Sequence, residues 1–448
     1  MSELVFAAPA LDDLRALALE RRDVETATVV FGRDVEGTRG SRILVTAASA
    51  APEDAYSERT AITAHLRPEF VFEAVSRAKR EGLACCFVHS HPQDEATPRF
   101  SRRDDEGEAR LRAYLDRMLP DRPAAALVVS PGGLAARELG RGVEIEVVQV
   151  GDRIERWPES AEGVAEERFD RQVRAFGRVG QTVIGGLRVA IVGLGGTGSF
   201  TALQLAHLGV RDFLLIDGDE VTETSLNRLV GAGPADVGTP KVEVAARMIR
   251  AIAPSATVSC VVGDVVEDGN ARQLTKADVI MICTDSHASR AVASQIAYHF
   301  LIPAIEMGVI ISVRAGSVFD VSGRVLLLAP GRPCMSCLEF LDPEKVRLEM
   351  MTETERALDP YMPGAEEPQP SVVSLNGTMA SLATTMFIGL VTGAPVDARM
   401  QRYDAKRGTV RLMVADAQPG CYVCAQGVGV GRGDTWPLAT RRRAEPSA

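Results

Sequence analysis

The sequence predicts an α/β protein made of two domains. Three observations lead to this reading. At 448 residues the chain exceeds one ordinary core. Helical and strand-like apolar runs intermingle over residues 1–150. Residues 187–219 read as strand, glycine loop, helix and strand, the unit from which doubly wound parallel sheets are built. Apolar residues make up 46% and charged residues 25%, ordinary values for a chain that buries sizeable cores. The net charge of −10 argues against a general nucleic-acid binder. No run approaches the roughly 18 apolar residues of a membrane span, and the N-terminus lacks a basic flank. The expected location is cytoplasmic.

The first domain is expected over residues 1–150. Helical patterns cover residues 11–22, 68–81 and 102–118; strand patterns cover 26–31, 42–48, 84–89, 124–129 and 143–148. No βαβ unit repeats, which fits an α/β or α+β domain. Its chemistry lies in Phe87-Val88-His89-Ser90-His91-Pro92 and, further on, Ser101-Arg102-Arg103-Asp104. Alternate residues at a strand end point to one side, so His89 and His91 can share a metal. Asp104, in the first turn of the next helix, can add a third ligand and leave a position open, the arrangement of a catalytic zinc site. Ser101 and Asp104 also form a helix N-cap pattern.

This constellation resembles the JAMM (Mov34/MPN) metallopeptidase motif. The resemblance implies a JAMM/MPN fold with His89, His91 and Asp104 as ligands of a catalytic Zn²⁺. It further implies Glu25 as general base toward water and Ser101 as the group that stabilises the oxyanion. Glu25 stands at the family's spacing from Gly32, which ends the first core strand. Enzymes of that family cleave peptide or isopeptide bonds at the C-termini of ubiquitin-like proteins. Nine residues separate His91 from Ser101, about two more than the family's usual spacing, which makes Asp105 a rival to Asp104.

Residues 151–167 are polar and acidic and read as a linker. The second domain is expected over 168–430. After its first strand comes Gly193-Leu194-Gly195-Gly196-Thr197-Gly198, where glycines admit a phosphate close to the backbone and a helix N-terminus offers free N–H groups. Asp217, about twenty residues on, can bond a ribose hydroxyl. Alone this unit fits an NAD-dependent dehydrogenase equally well. Asp219, Asn227-Arg228, Lys241 and Thr284-Asp285 break the tie. Only five of the 50 basic residues are lysines, which gives Lys241 added weight.

From Arg168 to Gln426 the chain resembles the ThiF/MoeB and ubiquitin-activating enzymes, on the RFDRQ opening, GLGGTGS, DGDxV, SLNR, GxPK and CTDS. The resemblance implies a Rossmann-like adenylation domain that uses ATP and Mg²⁺. Gly193, Gly195, Gly196, Gly198, Asp217, Asp219, Asn227, Arg228 and Lys241 would hold the nucleotide, and Asp285 the Mg²⁺. Arg171 would reach into the ATP site of the other subunit of a homodimer packed through residues 371–392. Ser286 replaces an asparagine common after this aspartate.

Cys334-x-x-Cys337 and Cys421-x-x-Cys424 form a Cys₄ pattern for a structural Zn²⁺. Residues 338–420 contain no cysteine where thioester-forming activating enzymes carry one. The expected function is adenylation of the C-terminal glycine of a ubiquitin-like protein, without an internal thioester in that loop, combined with zinc-dependent cleavage at such a tail. The activated tail would pass to the thiol of a conjugating enzyme or to another nucleophile. Fusions resembling this one occur in bacterial ubiquitin-like conjugation systems, some of them anti-phage. The alternatives are sulfur-carrier activation with tail processing for biosynthesis, and a peptidase half reduced to a binding platform. The Gly-rich tail, 431–448, is expected to be disordered.

Overall fold

The computed structural model describes residues 3–37, 39–160, 163, 166–314, 316–358 and 370–441. The chain divides into two compact units. One lies within residues 1–160 and includes His299–Leu301 and Gln426–Trp436; the other comprises the rest.

The first unit runs β1 (Glu3–Ala7), α1 (Ala8–Leu19), β2 (Ala27–Gly37), β3 (Gly40–Val45), β4 (Tyr56–Thr60), β5 (Thr63–Leu66), α2 (Pro68–Glu81) and β6 (Ala84–Ser90). It continues through α3 (Arg102–Met118), β7 (Ala124–Ser130), β8 (Gly133–Glu138), β9 (Glu144–Val150) and β10 (Ile154–Trp157). The sheet order is β1-β3-β2-β6-β7-β8-β9-β10, and β1 also pairs with β9. Because β1 lies parallel to both β3 and β9, the sheet closes on itself and β1 is buried along its whole length. α2 and α3 cover one face, where Val75, Ala78 and Leu115 pack on Cys85 and Phe87 of β6.

Strands β1, β4, β5, β8 and β10 go beyond the sequence reading. β10 falls inside the stretch expected to be a linker. Its charges have cross-strand partners: Arg156 pairs with Glu146 on β9 and lies 3.7 Å from Glu3 on β1.

The second unit runs α4 (Asp170–Gly186), β11 (Arg188–Val192), α5 (Gly196–Leu208), β12 (Asp212–Asp217), α6 (Lys241–Ile252), β13 (Thr257–Val262), α7 (Asp268–Ala271) and β14 (Val279–Ile282). After these come α8 (His287–His299), β15 (Ala304–Arg314), β16 (Ser317–Leu328), α9 (Pro343–Met350), α10 (Glu353–Leu358), α11 (Val373–Val391), β17 (Met400–Asp404) and β18 (Thr409–Leu412). Sheet order is β13-β12-β11-β14-β15-β16-β17-β18. The first five strands are parallel and the last three run antiparallel. Strand order reverses between β11 and β14, and ligands of such sheets bind beyond the carboxyl ends of strands at this switch point. α11 is the one helix among the described residues long and apolar enough to cross a membrane, yet half of it is buried within the unit. It packs on α5, β15 and β16 through residues such as Met379, Ala383, Phe387 and Leu390.

The tail departs from the disorder expected of it. Gln426 Nε2 donates to Thr46 O, and a 3₁₀ turn at Gly433–Thr435 packs on β2. Arg441 N donates to Val266 O at 2.7 Å. Gly427, Gly431 and Gly433 adopt positive φ, so the glycines build tight turns and not slack chain. Residues 442–448 lie outside the described residues.

Candidate functional site

β6 sets the first candidate site. Its register places His89 opposite Ala27 of β2 and Val128 of β7. Ser90 turns to the other face, where its buried Oγ accepts from Thr26 N at 2.9 Å. His91 follows, anchored by its own N–H to Val129 O. The alternation expected of a strand end is thus realised.

Ser101 caps α3. Its Oγ accepts from Asp104 N, and Asp104 Oδ2 accepts from Ser101 N at 2.6 Å. Asp104 Oδ1 lies 3.3 Å from His89 Nε2. Capping and ligation are therefore compatible: one carboxylate oxygen serves the helix and the other faces the histidine. Asp105, the rival, is drawn away by Arg137 at 2.8 Å. Arg137 also pairs with Glu108 and stacks on Phe100, 3.9 Å from its ring centre, so β8 fixes the start of α3.

The longer spacer is pinned. Ser130 Oγ donates to Ala96 O at 3.2 Å and Gly132 N to Asp94 O at 3.2 Å. A Cβ at residue 132 would lie 2.3 Å from the Ala96 carbonyl, so this close approach requires glycine. Asp94 Oδ2 sits 3.0 Å from His91 Nδ1.

Glu25 Oε1 lies 3.9 Å from His91 Nε2. The Glu25 backbone is held by Thr60 O and by Arg59 Nε, both from β4. Burial lifts the Glu25 carboxyl to about 7. Burial acts the same way on Asp104, but hydrogen bonding and charge from His89 outweigh it and hold that carboxylate well below its usual range. The ligand atoms of His89, His91 and Asp104 lie within 4.8 Å of one another. His89 Nε2 is buried and faces Asp104 Oδ1. Two imidazoles and a carboxylate fit the donor set of a zinc ion.

The second candidate site lies at the switch point. Gly193 has φ +87, and a Cβ there would sit 2.8 Å from Thr284 N, so the glycine loop runs against the turn after β14. Gly195, Gly196 and Gly198 lead into α5. Asp217, ending β12, accepts from Leu194 N at 2.6 Å and from Asp219 N at 2.8 Å. Burial raises its pKa. Lys241 opens α6 and its Nζ lies 2.6 Å from Asp219 Oδ2. Arg228 turns onto its own loop, Nη1 donating to Thr224 O at 2.6 Å and to Asn227 Oδ1 at 3.3 Å. Asp285 is exposed in the turn between β14 and α8. Arg171 is exposed on α4, outside this cluster.

The four cysteines Cys334, Cys337, Cys421 and Cys424 converge, with Sγ–Sγ distances of 3.7, 3.6 and 3.5 Å for 334–337, 334–421 and 337–424. Zinc–sulfur bonds of about 2.3 Å at tetrahedral angles require about 3.8 Å. These spacings fit a thiolate metal site and are far too long for disulfides.

The model of the ThiF family matches residues 169–423, more than half of the chain. The chain belongs to the ThiF family. A second match, to prokaryotic homologs of the JAB domain, spans residues 7–138. The molybdopterin-synthase adenylyltransferase of Salmonella typhimurium is 29% identical over 265 residues, covering 58% of this chain and 96% of the relative. The SAMP-activating enzyme E1 of Haloferax volcanii is 26% identical over 281 residues, covering 58% and 89%. A crystal structure of Escherichia coli MccB with ATP is 20% identical with a TM-score of 0.45, covering 58% of this chain and 75% of that one.

This ThiF-family chain also contains residues near the switch point that sequence reasoning missed. Glu306 on β15 is fully buried, bonded by Arg324 through two contacts of 3.0 Å and approached by Arg290 at 3.3 Å. A lone charge inside an apolar strand was the available signal. Asp94, Arg137 and Glu349 gave none, because their partners are distant in sequence or set by loop geometry.

Proposed function

We propose that the second unit adenylates the C-terminal glycine of a ubiquitin-like or sulfur-carrier protein. The tail carboxylate attacks the α-phosphorus of ATP, the bond to the bridging oxygen breaks, and pyrophosphate leaves as acyl-adenylate forms. The observation that carries this reading is the joint setting of Asp217, Lys241 and the Asp285 turn around the glycine loop at the switch point. Leu194 N and the start of α5 bear on the phosphates, Lys241 and Arg228 neutralise their charge, and Asp285 binds Mg²⁺. Lys241 must loosen from Asp219 to do so. Two relatives named for adenylyl transfer or activation support the assignment. Arg171, free on α4, would complete the site of the other subunit in a homodimer.

Outside the Cys₄ cluster, Cys85, Cys86 and Cys283 are buried and Cys260 is exposed. Burial pushes Cys85 and Cys283 up to about 12 and Cys86 higher still, while Cys260 lies on the edge strand β13 with its pKa also raised. With no cysteine over residues 338–420, the activated tail would pass to another molecule's nucleophile. Zinc in the cysteine cluster would tie the segment after β16 to the segment after β18.

The first unit would cleave at a similar tail. Zinc held by His89, His91 and Asp104 would supply Lewis acidity and an acidified water. Glu25 takes the proton from the attacking water and returns it to the leaving amine. Ser101 would turn its hydroxyl hydrogen to the developing oxyanion, since its helix cap uses a lone pair of Oγ.

Pyrophosphate exchange with ATP and Mg²⁺ tests the first activity, using ubiquitin-like proteins with glycine ends. Exchange that needs the tail and disappears in Asp285→Ala supports the reading. Zinc-loaded protein that binds ATP yet exchanges with no tail overturns it. Loss of tail cleavage in Glu25→Gln with zinc retained would separate a peptidase from a binding platform. A sulfur-carrier role draws support from the Escherichia coli sulfur carrier protein ThiS adenylyltransferase, 26% identical over 264 residues. Recovery of a thiocarboxylated tail and AMP after sulfide addition would favour it over conjugation.

A further inference from the structure

The turn that carries Asp285 is held from outside its own helix. Glu349, at the last turn of α9, places Oε2 2.7 Å from Ser286 Oγ and 2.7 Å from Ala288 N. It accepts from both, and so adds a second, distant acceptor to the N-terminal capping that Ser286 supplies to α8. Ser286 Oγ in turn accepts from Ser289 N at 3.1 Å. This pairing accounts for serine at position 286: its hydroxyl bridges the helix to the glutamate.

The contact is reciprocal. His287 Nδ1 accepts from Asp342 N at 3.0 Å, and Asp342 caps α9 through Glu344 N and Lys345 N. The far end of α9 is capped by Arg441, which donates to the carbonyls of Glu349 and Met350. Arg441 is fixed by backbone bonds to Val266 and Asp268. α8, α9 and the chain's last described residue therefore form one closed set of caps, in a region where residues 338–420 carry no cysteine.

We propose that Glu349 is a positioning residue for nucleotide activation, holding Asp285 where it meets the Mg²⁺ of Mg²⁺·ATP. This rests on the adenylation reading. Thr284 N sits where a Cβ on Gly193 would be only 2.8 Å away, and Arg290 Nη1 donates to Asp285 O at 3.2 Å. The Asp285 turn is thereby wedged between the glycine loop, Arg290 and Glu349. Removing Glu349 frees one side and leaves Ser286 Oγ and Ala288 N without their acceptor.

The test is titration of full-length protein with ATP, with and without Mg²⁺, for wild type, Glu349→Ala, Glu349→Gln and Ser286→Ala. In Glu349→Ala the Kd for Mg²⁺·ATP should rise about tenfold, while the Kd for ATP in EDTA changes less than about twofold. Glu349→Gln keeps an acceptor oxygen and should recover most of the loss. Ser286→Ala should show a smaller loss of the same kind. If Glu349→Ala does not fold, Ser286→Ala decides alone. Unchanged Mg²⁺·ATP affinity in a folded variant, or an equal loss with and without Mg²⁺, overturns the proposal. Wild type that binds no ATP overturns the adenylation reading itself, and this proposal with it.

Discussion

His91 Nδ1 lies 3.0 Å from Asp94 Oδ2, and the same ring turns its Nε2 toward Glu25. The loop between His91 and Ser101 thus brings its own carboxylate to a histidine proposed as a metal ligand. A carboxylate on the second nitrogen fixes the tautomer and raises ligand basicity. In Asp94→Ala, zinc affinity at this site should fall about tenfold with the fold retained. Competition with a chromophoric chelator measures it; unaltered affinity would show Asp94 to be only a loop residue.

Asp217 is expected to support the glycine loop as well as the nucleotide. Its carboxylate satisfies Leu194 N and Asp219 N, and a hydrogen bond to a charged group is worth about 1.5–3 kcal/mol. Asp217→Ala should weaken ATP binding by tenfold or more and also lower the melting temperature of the second unit. Asp217→Asn, which keeps one acceptor, should melt closer to wild type yet still bind ATP weakly. Calorimetry with and without nucleotide separates the two effects.

Metal counting distinguishes the two clusters. Wild type should carry two zinc ions per chain, His89→Ala one and Cys424→Ser one. The histidine variant should melt near the wild-type temperature, whereas the cysteine variant should lose several degrees because structural zinc contributes directly to folding. Elemental analysis after dialysis gives the counts, and a wild-type count of one would remove one of the sites.

His299 gives a pH prediction. It is fully buried with neither ring nitrogen hydrogen-bonded among the described residues, and burial, aided by Arg432, depresses its pKa to about 4. The unfolded chain then binds a proton below about pH 6.5 that the folded chain refuses until about pH 4. Stability should be complete above pH 6.5 and fall as pH drops, by on the order of 3 kcal/mol at pH 4. His299→Phe should flatten that part of the profile in urea melts taken from pH 7 to pH 4.5.

Much of both sites was readable from local pattern. The glycine loop, Asp217 and the HxH strand end depend on periods of two and 3.6 residues, which a sequence displays directly. α2 and α3 appear with the bounds expected of them, since Pro68 and Ser101 start them unambiguously. What escaped depends on distant partners. β8 and β10 are strands because β7 and β9 are there to pair with, and no apolar run marks them. Asp104 faces His89 while Asp105 pairs with Arg137, more than thirty residues away. The tail misled because glycine signals both slack chain and tight turns, and only the docked partner tells them apart.

The composition of the first unit constrains the order in which the molecule can mature on the ribosome. β1 is the first strand to emerge, but its partner β9 ends at Val150, so the sheet cannot close until most of that unit has been translated. Its remaining pieces, residues 299–301 and 426–436, emerge midway through the second unit and near its end. Translation therefore begins the first unit early and completes it late. A nascent chain stalled before residue 426 would hold every strand of the second unit's sheet while the first unit still waited for its final segment.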